Sequence, residues 1–512
     1  MEAESRVKKS LLNAQVNLIF YFLALVLAFF SRKVFLDSLG ADFIGLTGTL
    51  YNLLGFLNLA ELGIGTAIGY VLYKPLFDRD EPKLNEIISV FGYLYRWIGL
   101  IILGAGCVLA CFMPLIFPRT GFSFGIIYFA YFSFLISSLI GYFLNYRQTL
   151  LGADQKNYVV TAYFQTGLIV KSLIQMVSAY YTKNYYLWIA IELFFGIIYS
   201  FILNRKINHV YPWLKSEIRL GKKLFKKYPD VMKYTKQLFV HQIALFVQFH
   251  TKPFLIYTFA SLQTVAYYGN YAIISDKLTL LISNLLGSTS AGVGNLIAEG
   301  NKEKTINVFW ELLSIRFFLT GCIAFSLYHI VDALIFLWLG EQYIISKLVL
   351  LLVICDLSIR MVHDIFGQFL YGFGLFRDIW ASIIQSAIYL VLSILCGYFW
   401  GLEGILFGGI MALLVIMCGW KPYFLYRYGF KIPIIHYWIN YSKCVIAFII
   451  SIYIGNYFLS FVSINPRLSF FSLFLYAIIV VLIIAIIYSI LLLISMRSMR
   501  DIVKRLLYKN RL

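Results

Sequence analysis

The sequence predicts an all-α, polytopic membrane protein: fourteen transmembrane helices, in two six-helix lobes followed by two further helices. Three observations lead there. The first is composition. Of 512 residues, 61% are hydrophobic, 18% aromatic and 13% charged, about half the charged share of a soluble domain. Mean hydropathy is +0.81. With 43 basic and 24 acidic residues, the chain cannot cover a soluble surface of this size. That excludes a soluble enzyme, a disordered protein and a nucleic-acid reader. The second is a series of apolar runs, each near the ~20 residues that span a hydrocarbon core as a helix. The third is the distribution of Lys and Arg between alternate loops.

Taken in order, the runs are 11–30, 44–72, 88–112, 123–145, 158–181, 185–203, 238–260, 264–288, 307–331, 347–371, 376–398, 401–420, 437–461 and 468–495. The first follows Arg6, Lys8 and Lys9 and could imitate a signal peptide. It is too long for an h-region, and Arg32 and Lys33 stand where a cleavage site would be, so it reads as a retained helix. With the N-terminus cytoplasmic, the inside segments hold 30 Lys and Arg and the outside segments six. An error of one span would scramble that asymmetry, so it supports both the helix count and cytoplasmic termini. The seven cysteines lie in apolar stretches without a C-x-x-C pair and are expected to be inert packing thiols. No metal or cofactor is expected.

The longest polar insertion, 204–237, is strongly basic and is expected to lie on the anionic leaflet as an amphipathic linker. It divides the chain into an N-lobe (1–203), the linker (204–237), a C-lobe (238–420), and helices 13 and 14 with a basic cytoplasmic tail (421–512). The lobes carry a weak internal repeat. SLGADFIGLTGTLYNLL after the first run matches FASLQTVAYYGNYAII after the seventh, about 221 residues later. Repeats of six helices begin and end on one side, so their copies are parallel, related by a pseudo-two-fold axis along the membrane normal.

Charges inside the runs are costly. Arg96, Lys171, Lys252, Lys277, Arg316, Arg360 and Lys443 lie there with Glu61, Glu192, Asp276, Asp356 and Asp364. Each costs ~2.5–3.5 kcal/mol at mid-membrane, so such groups must face one another or a water-filled cavity. Lys443 can snorkel to the cytoplasmic end of its helix. Lys171 and Glu192 sit at similar depth on neighbouring helices and could pair. Asp356, Arg360, His363 and Asp364 form one polar stripe, continued by Gly367 and Gln368, that serves either as a strut or as a cavity wall. His241, Gln248 and Lys252 align on the seventh run, and Pro253 is expected to kink or break that helix. His250 points the other way. Asn270, Lys277 and Asn284 repeat every seven residues on the eighth run. Glu61 stands among Asn58, Gly63, Gly65 and Gly69 as a proton-binding carboxylate or a counter-ion. The six deepest basic groups (Arg96, Lys171, Lys252, Lys277, Arg316 and Arg360) with His241 and Gln248 are the expected lining of a cationic cavity for an anionic cargo such as a pyrophosphate. Glu61, Asp276, Asp356 and Asp364 are the candidates for ion coupling.

The stretch SRKVFLDSLGADFIGLTGTLYNLLGFLNLAELGIGTAIGYVLY (31–73) resembles the opening of the polysaccharide-transporter branch of the MOP superfamily, the Wzx-type O-antigen and capsule flippases. The matching residues are Leu39, Gly40, Phe43 and Gly45, then Glu61, Leu62, Gly63, Ile64, Gly65 and Ala67. The resemblance implies a MATE/MOP-like fold of two lobes with two added helices. It implies movement of undecaprenyl-pyrophosphate-linked oligosaccharide across the bacterial inner membrane by alternating access, with cavity cations meeting the pyrophosphate. H+ or Na+ coupling and a polysaccharide polymerase partner follow from the same likeness. Where relatives often carry an acid in the seventh helix, this chain has His241, His250 and Lys252, which shifts attention for coupling to Glu61 and Asp276. Two other classes stand against this reading. A MATE-type multidrug exporter usually has twelve helices and an acidic cavity. A membrane glycan polymerase or ligase needs a long periplasmic loop, and no outward loop here exceeds about 15 residues.

Overall fold

The computed structural model describes residues 6–57, 64–118, 120–154, 156–228, 247, 250–287, 293–294, 296–297, 299–375 and 378–509. Among these residues the chain is helical with no strand. Eight helical stretches are long and apolar enough to cross a membrane, and they cover nine of the expected spans. The remaining five (44–72, 158–181, 238–260, 264–288 and 347–371) fall on helices that carry intramembrane charges or run into undescribed positions. The chain is a multi-pass membrane protein, and it divides into two compact units.

The first unit comprises residues 1–257 and 261–266. Its helices are α1 (Arg6–Leu39), α2 (Ala41–Leu57), α3 (Ile64–Asp78), α4 (Glu81–Cys111), α5 (Phe124–Phe143), α6 (Asn157–Thr182) and α7 (Tyr185–Val210). Short polar turns set their ends. Asp80 caps α4 by accepting from the Lys83 N–H at 3.0 Å, and Asn184 caps α7 by accepting from Leu187 N–H at 3.1 Å. α1 packs along α6, and α5 along α7, where Gly196 lies close against Ser137. Residues 250–259 are helical, so the chain stays helical through Pro253 instead of breaking there. The same helix packs on α2. His250 Nδ1 lies 3.2 Å from Asn52 Oδ1, over Gly55, where a Cβ would sit 2.8 Å from that nitrogen.

The second unit comprises residues 258–260 and 267–512. α8 (Leu262–Gly287) starts in the first unit and runs on into the second. It is followed by α9 (Lys302–Trp338), α10 (Lys347–Gly372), α11 (Ile379–Leu413), α12 (Ile435–Leu459), α13 (Phe470–Ser495) and α14 (Arg497–Lys509). α11 is two helices joined at Gly401 (φ 58°, ψ −128°), backbone angles that glycine alone adopts readily. The arms lie against each other: a Cβ on Gly404 would fall 2.0 Å from the Cys396 carbonyl, and one on Gly408 2.5 Å from the Ser393 nitrogen. This hairpin supplies the expected spans 376–398 and 401–420. Phe309, Phe366, Phe369, Tyr426 and Tyr437 form the aromatic centre of the unit's core. α12 and α13 are built into that core through Cys444, Ile484 and Tyr488. α14 lies back on α9. The Ser498 and Ser314 hydroxyls are 2.7 Å apart, and Arg505 pairs with the buried carboxylate of Glu311.

Candidate functional site

The intramembrane charges fall into separate sets in the two units. In the first, Lys171 on α6 and Glu192 on α7 form an ion pair, Nζ to Oε1 2.6 Å, with both side chains 13% exposed. Gln175, one turn from Lys171, donates from Nε2 to Glu192 Oε2 at 3.1 Å and to the Trp188 carbonyl at 3.1 Å. Both oxygens of the carboxylate are therefore bonded. An ion pair completed in this way joins two helices and neutralises both charges locally.

Lys252 is half-buried on the helix at 250–259. His241, Gln248 and Glu61 lie outside the described residues. Arg96 is exposed on α4. Near the start of α8, Gln263 donates to Asp42 Oδ2 at 3.1 Å across a separation of 221 residues, the offset expected from the sequence for the repeat. Beside them Arg32 donates to the Ala266 carbonyl at 2.8 Å, and Gly45 lies so near the Leu262 carbonyl that a Cβ would sit 2.0 Å away.

In the second unit, the stripe on α10 resolves into separate contacts. Arg360 grips Asp356 with two bonds, Nε to Oδ2 2.9 Å and Nη2 to Oδ1 3.3 Å. Arg316 reaches from α9 to Asp364 at 3.0 Å and donates to the Met361 carbonyl at 3.0 Å. The arginine is 3% exposed and its carboxylate partner 47%, so the pair is dry on one side and open on the other. His363 turns into the core, with Nδ1 2.9 Å from the Ile359 carbonyl and Nε2 3.4 Å from the Tyr437 hydroxyl. Asp276 is exposed and Lys277 half-buried on α8. Three of the six deep cations, Lys171, Arg316 and Arg360, are thus carboxylate-bound within their own unit. Lys252, Lys277 and Arg96 stand on three other helices.

Two polar features escaped the sequence reading. Asp332 is one residue past the expected end of its span, yet it is only 6% exposed. It accepts from the Tyr271 hydroxyl at 2.9 Å and pairs with Lys347 at 2.7 Å. The second is the attachment of the expected linker, 204–237. The linker's first seven residues continue the α7 helix to Val210, and residues 211–228 form a strap fixed to the first turns of α4. Asn85 accepts from Lys215 N–H at 2.7 Å, and Ser89 Oγ accepts from Glu217 N–H at 2.9 Å. Glu86 binds Lys227 at 2.7 Å and the Tyr228 hydroxyl at 2.6 Å. Burial and the Glu86 carboxylate push the Tyr228 phenol upward, so it stays a proton donor. Gly221 lies where a Cβ would sit 2.4 Å from the Tyr93 side chain.

No protein-family model matches the sequence, and no curated protein does. Solved structures do match. A lipid II flippase, MurJ, in an inward closed conformation superposes with a TM-score of 0.66 at 15% identity, covering 96% of this chain and 100% of that one. An inward-facing multidrug resistance MATE family transporter of the MOP superfamily gives 0.56 at 15% identity, covering 78% and 94%. A point mutant of the Vibrio cholerae MATE transporter VcmN gives 0.51 at 15% identity, covering 83% and 100%. At these identities the likeness is one of architecture: the chain is an all-helical, multi-pass membrane protein with the fold that these transporters share.

Proposed function

We propose that this protein is a flippase. It carries undecaprenyl-pyrophosphate-linked oligosaccharide units across the bacterial inner membrane by alternating access, for O-antigen, capsule or exopolysaccharide assembly. One observation carries the reading. The fold of a lipid flippase extends over 96% of this chain, whereas the MATE folds leave about a fifth of it unmatched. The motif at 31–73 supports the same class. The N-lobe (1–203) and C-lobe (238–420) rock about the substrate, with both termini and the linker cytoplasmic. Lys252 and Lys277 hold the pyrophosphate, because charge-assisted bonds from flexible ammonium groups can form and release as the protein alternates. The paired Lys171 and Arg316 join helices within their lobes, and Arg360 is neutralised by Asp356 on its own helix. Glu61 and Asp276 are the carboxylates assigned to H+ or Na+ coupling.

Lys252→Ala or Lys277→Ala should abolish surface polysaccharide while the protein still inserts, and lipid-linked units should accumulate on the cytoplasmic leaflet. Normal polysaccharide in both variants would refute the reading. Drug resistance on overexpression would redirect it to a MATE-type exporter.

A further inference from the structure

The strap and Arg96 belong together. Along α4, residues 84–95 are buried or half-buried, in part under the strap, and Arg96 and Trp97 are the first exposed side chains beyond them. From there the exposed surface of the helix is apolar: Trp97 54%, Leu100 52%, Ile101 57% and Val108 61%. A tryptophan at the head of an exposed apolar stripe marks the edge of the bilayer. The strap crosses one turn earlier. Ile218 packs at Gly92 and Gly221 at Tyr93, and Arg96 follows Gly92 by four residues on the same side of the helix. The inner side of the strap is spent on Asn85, Glu86 and Ser89. Its outer side exposes Arg219, Lys222 and Lys223 around Leu220, itself 45% exposed. Among the described residues no carboxylate pairs with these three cations or with Arg96.

We infer that Arg96, Arg219, Lys222 and Lys223 form a site for the phosphate of an anionic phospholipid headgroup. The occupant is a lipid because the strap cations flank an exposed leucine and Arg96 stands where the helix surface turns apolar. A soluble anion would need neither feature. Holding the strap by hydrogen bonds to α4 fixes the cations before the lipid arrives, so little ordering entropy is lost on binding. Arg96 then acts at the bilayer edge, apart from the substrate-holding Lys252 and Lys277.

The test uses the full-length protein purified in detergent, with bound lipid counted by native mass spectrometry. The probes are phosphatidylglycerol and phosphatidylethanolamine. Phosphatidylglycerol affinity should fall about fivefold for each cation removed in Arg96→Ala and Lys222→Ala, the ordinary contribution of one basic side chain near an anionic surface. Arg96→Lys should retain most of it, and phosphatidylethanolamine should not respond. Wild-type protein supplies an arm that needs no variant: phosphatidylglycerol occupancy should decline as salt is raised. Unchanged phosphatidylglycerol binding in the Arg96→Ala/Lys222→Ala/Lys223→Ala protein would overturn the inference. So would equal binding of inorganic phosphate by the wild type, which would make the site one for a soluble anion.

Discussion

Lys171 and Glu192 show what a single residue pair inside an apolar helix bundle demands. Either charge alone would be a heavy cost; together, with Gln175 on the second oxygen, they are satisfied. Removing one partner leaves the other stranded, and a broken buried pair costs about 3–5 kcal/mol. Lys171→Met should therefore lower the thermal midpoint of the purified protein sharply. Lys171→Met with Glu192→Leu should recover most of the loss. A single variant as stable as the wild type would show that the pair holds nothing. The presence of these charges could be read from the sequence, because a lysine in an apolar run stands out. Their partners were harder to see. Arg360 finds Asp356 one turn away on its own helix, which periodicity reveals. Arg316 finds Asp364 through the packing of α9 on α10, which periodicity does not contain. Asp332 was missed for a simpler reason: a span drawn by hydropathy stopped one residue short of it.

Elements were legible in proportion to how much of their cause is local. Apolar length fixes a membrane helix, and the expected spans follow the observed helices wherever the structure describes them. The hairpin at Gly401 was read as two spans from composition, while its near absence of a loop rests on backbone contact at Gly404 and Gly408. The strap on α4 lay beyond such reasoning. Its bonds join residues 128 to 142 positions apart, and a basic, polar segment looks the same whether bound or free. The part-buried Tyr228 bond to the Glu86 carboxylate contributes about 1.5–3 kcal/mol and the exposed Lys227 pair at most about 1 kcal/mol, so Glu86 is a main tie of the strap. Glu86→Gln combined with Tyr228→Phe should speed tryptic cleavage at Lys222 and Lys223 roughly tenfold, because cleavage follows the open population. Cleavage at the wild-type rate would mean that Glu86 does not secure the strap.

For the whole molecule, the sequence supplied a membrane class and a count of spans, and the match in architecture to a lipid flippase and MATE transporters agrees with that class. The count makes a topological prediction. Reporter fusions at Lys183 and Arg467 should be active only outside the membrane, and fusions at Lys215 and Lys509 only inside. A reversal at any one of them would break the fourteen-span scheme.

The contact between α14 and α9 joins positions 194 residues apart, and this separation has a consequence in time. A ribosome adds roughly 5–20 residues per second, so Glu311 is made about 10–40 seconds before Arg505 exists. Throughout that interval the nascent second unit carries Glu311 without its Arg505 partner. A stop codon that removes Arg505 would leave Glu311 without this partner and α14 held to α9 only through its first turns.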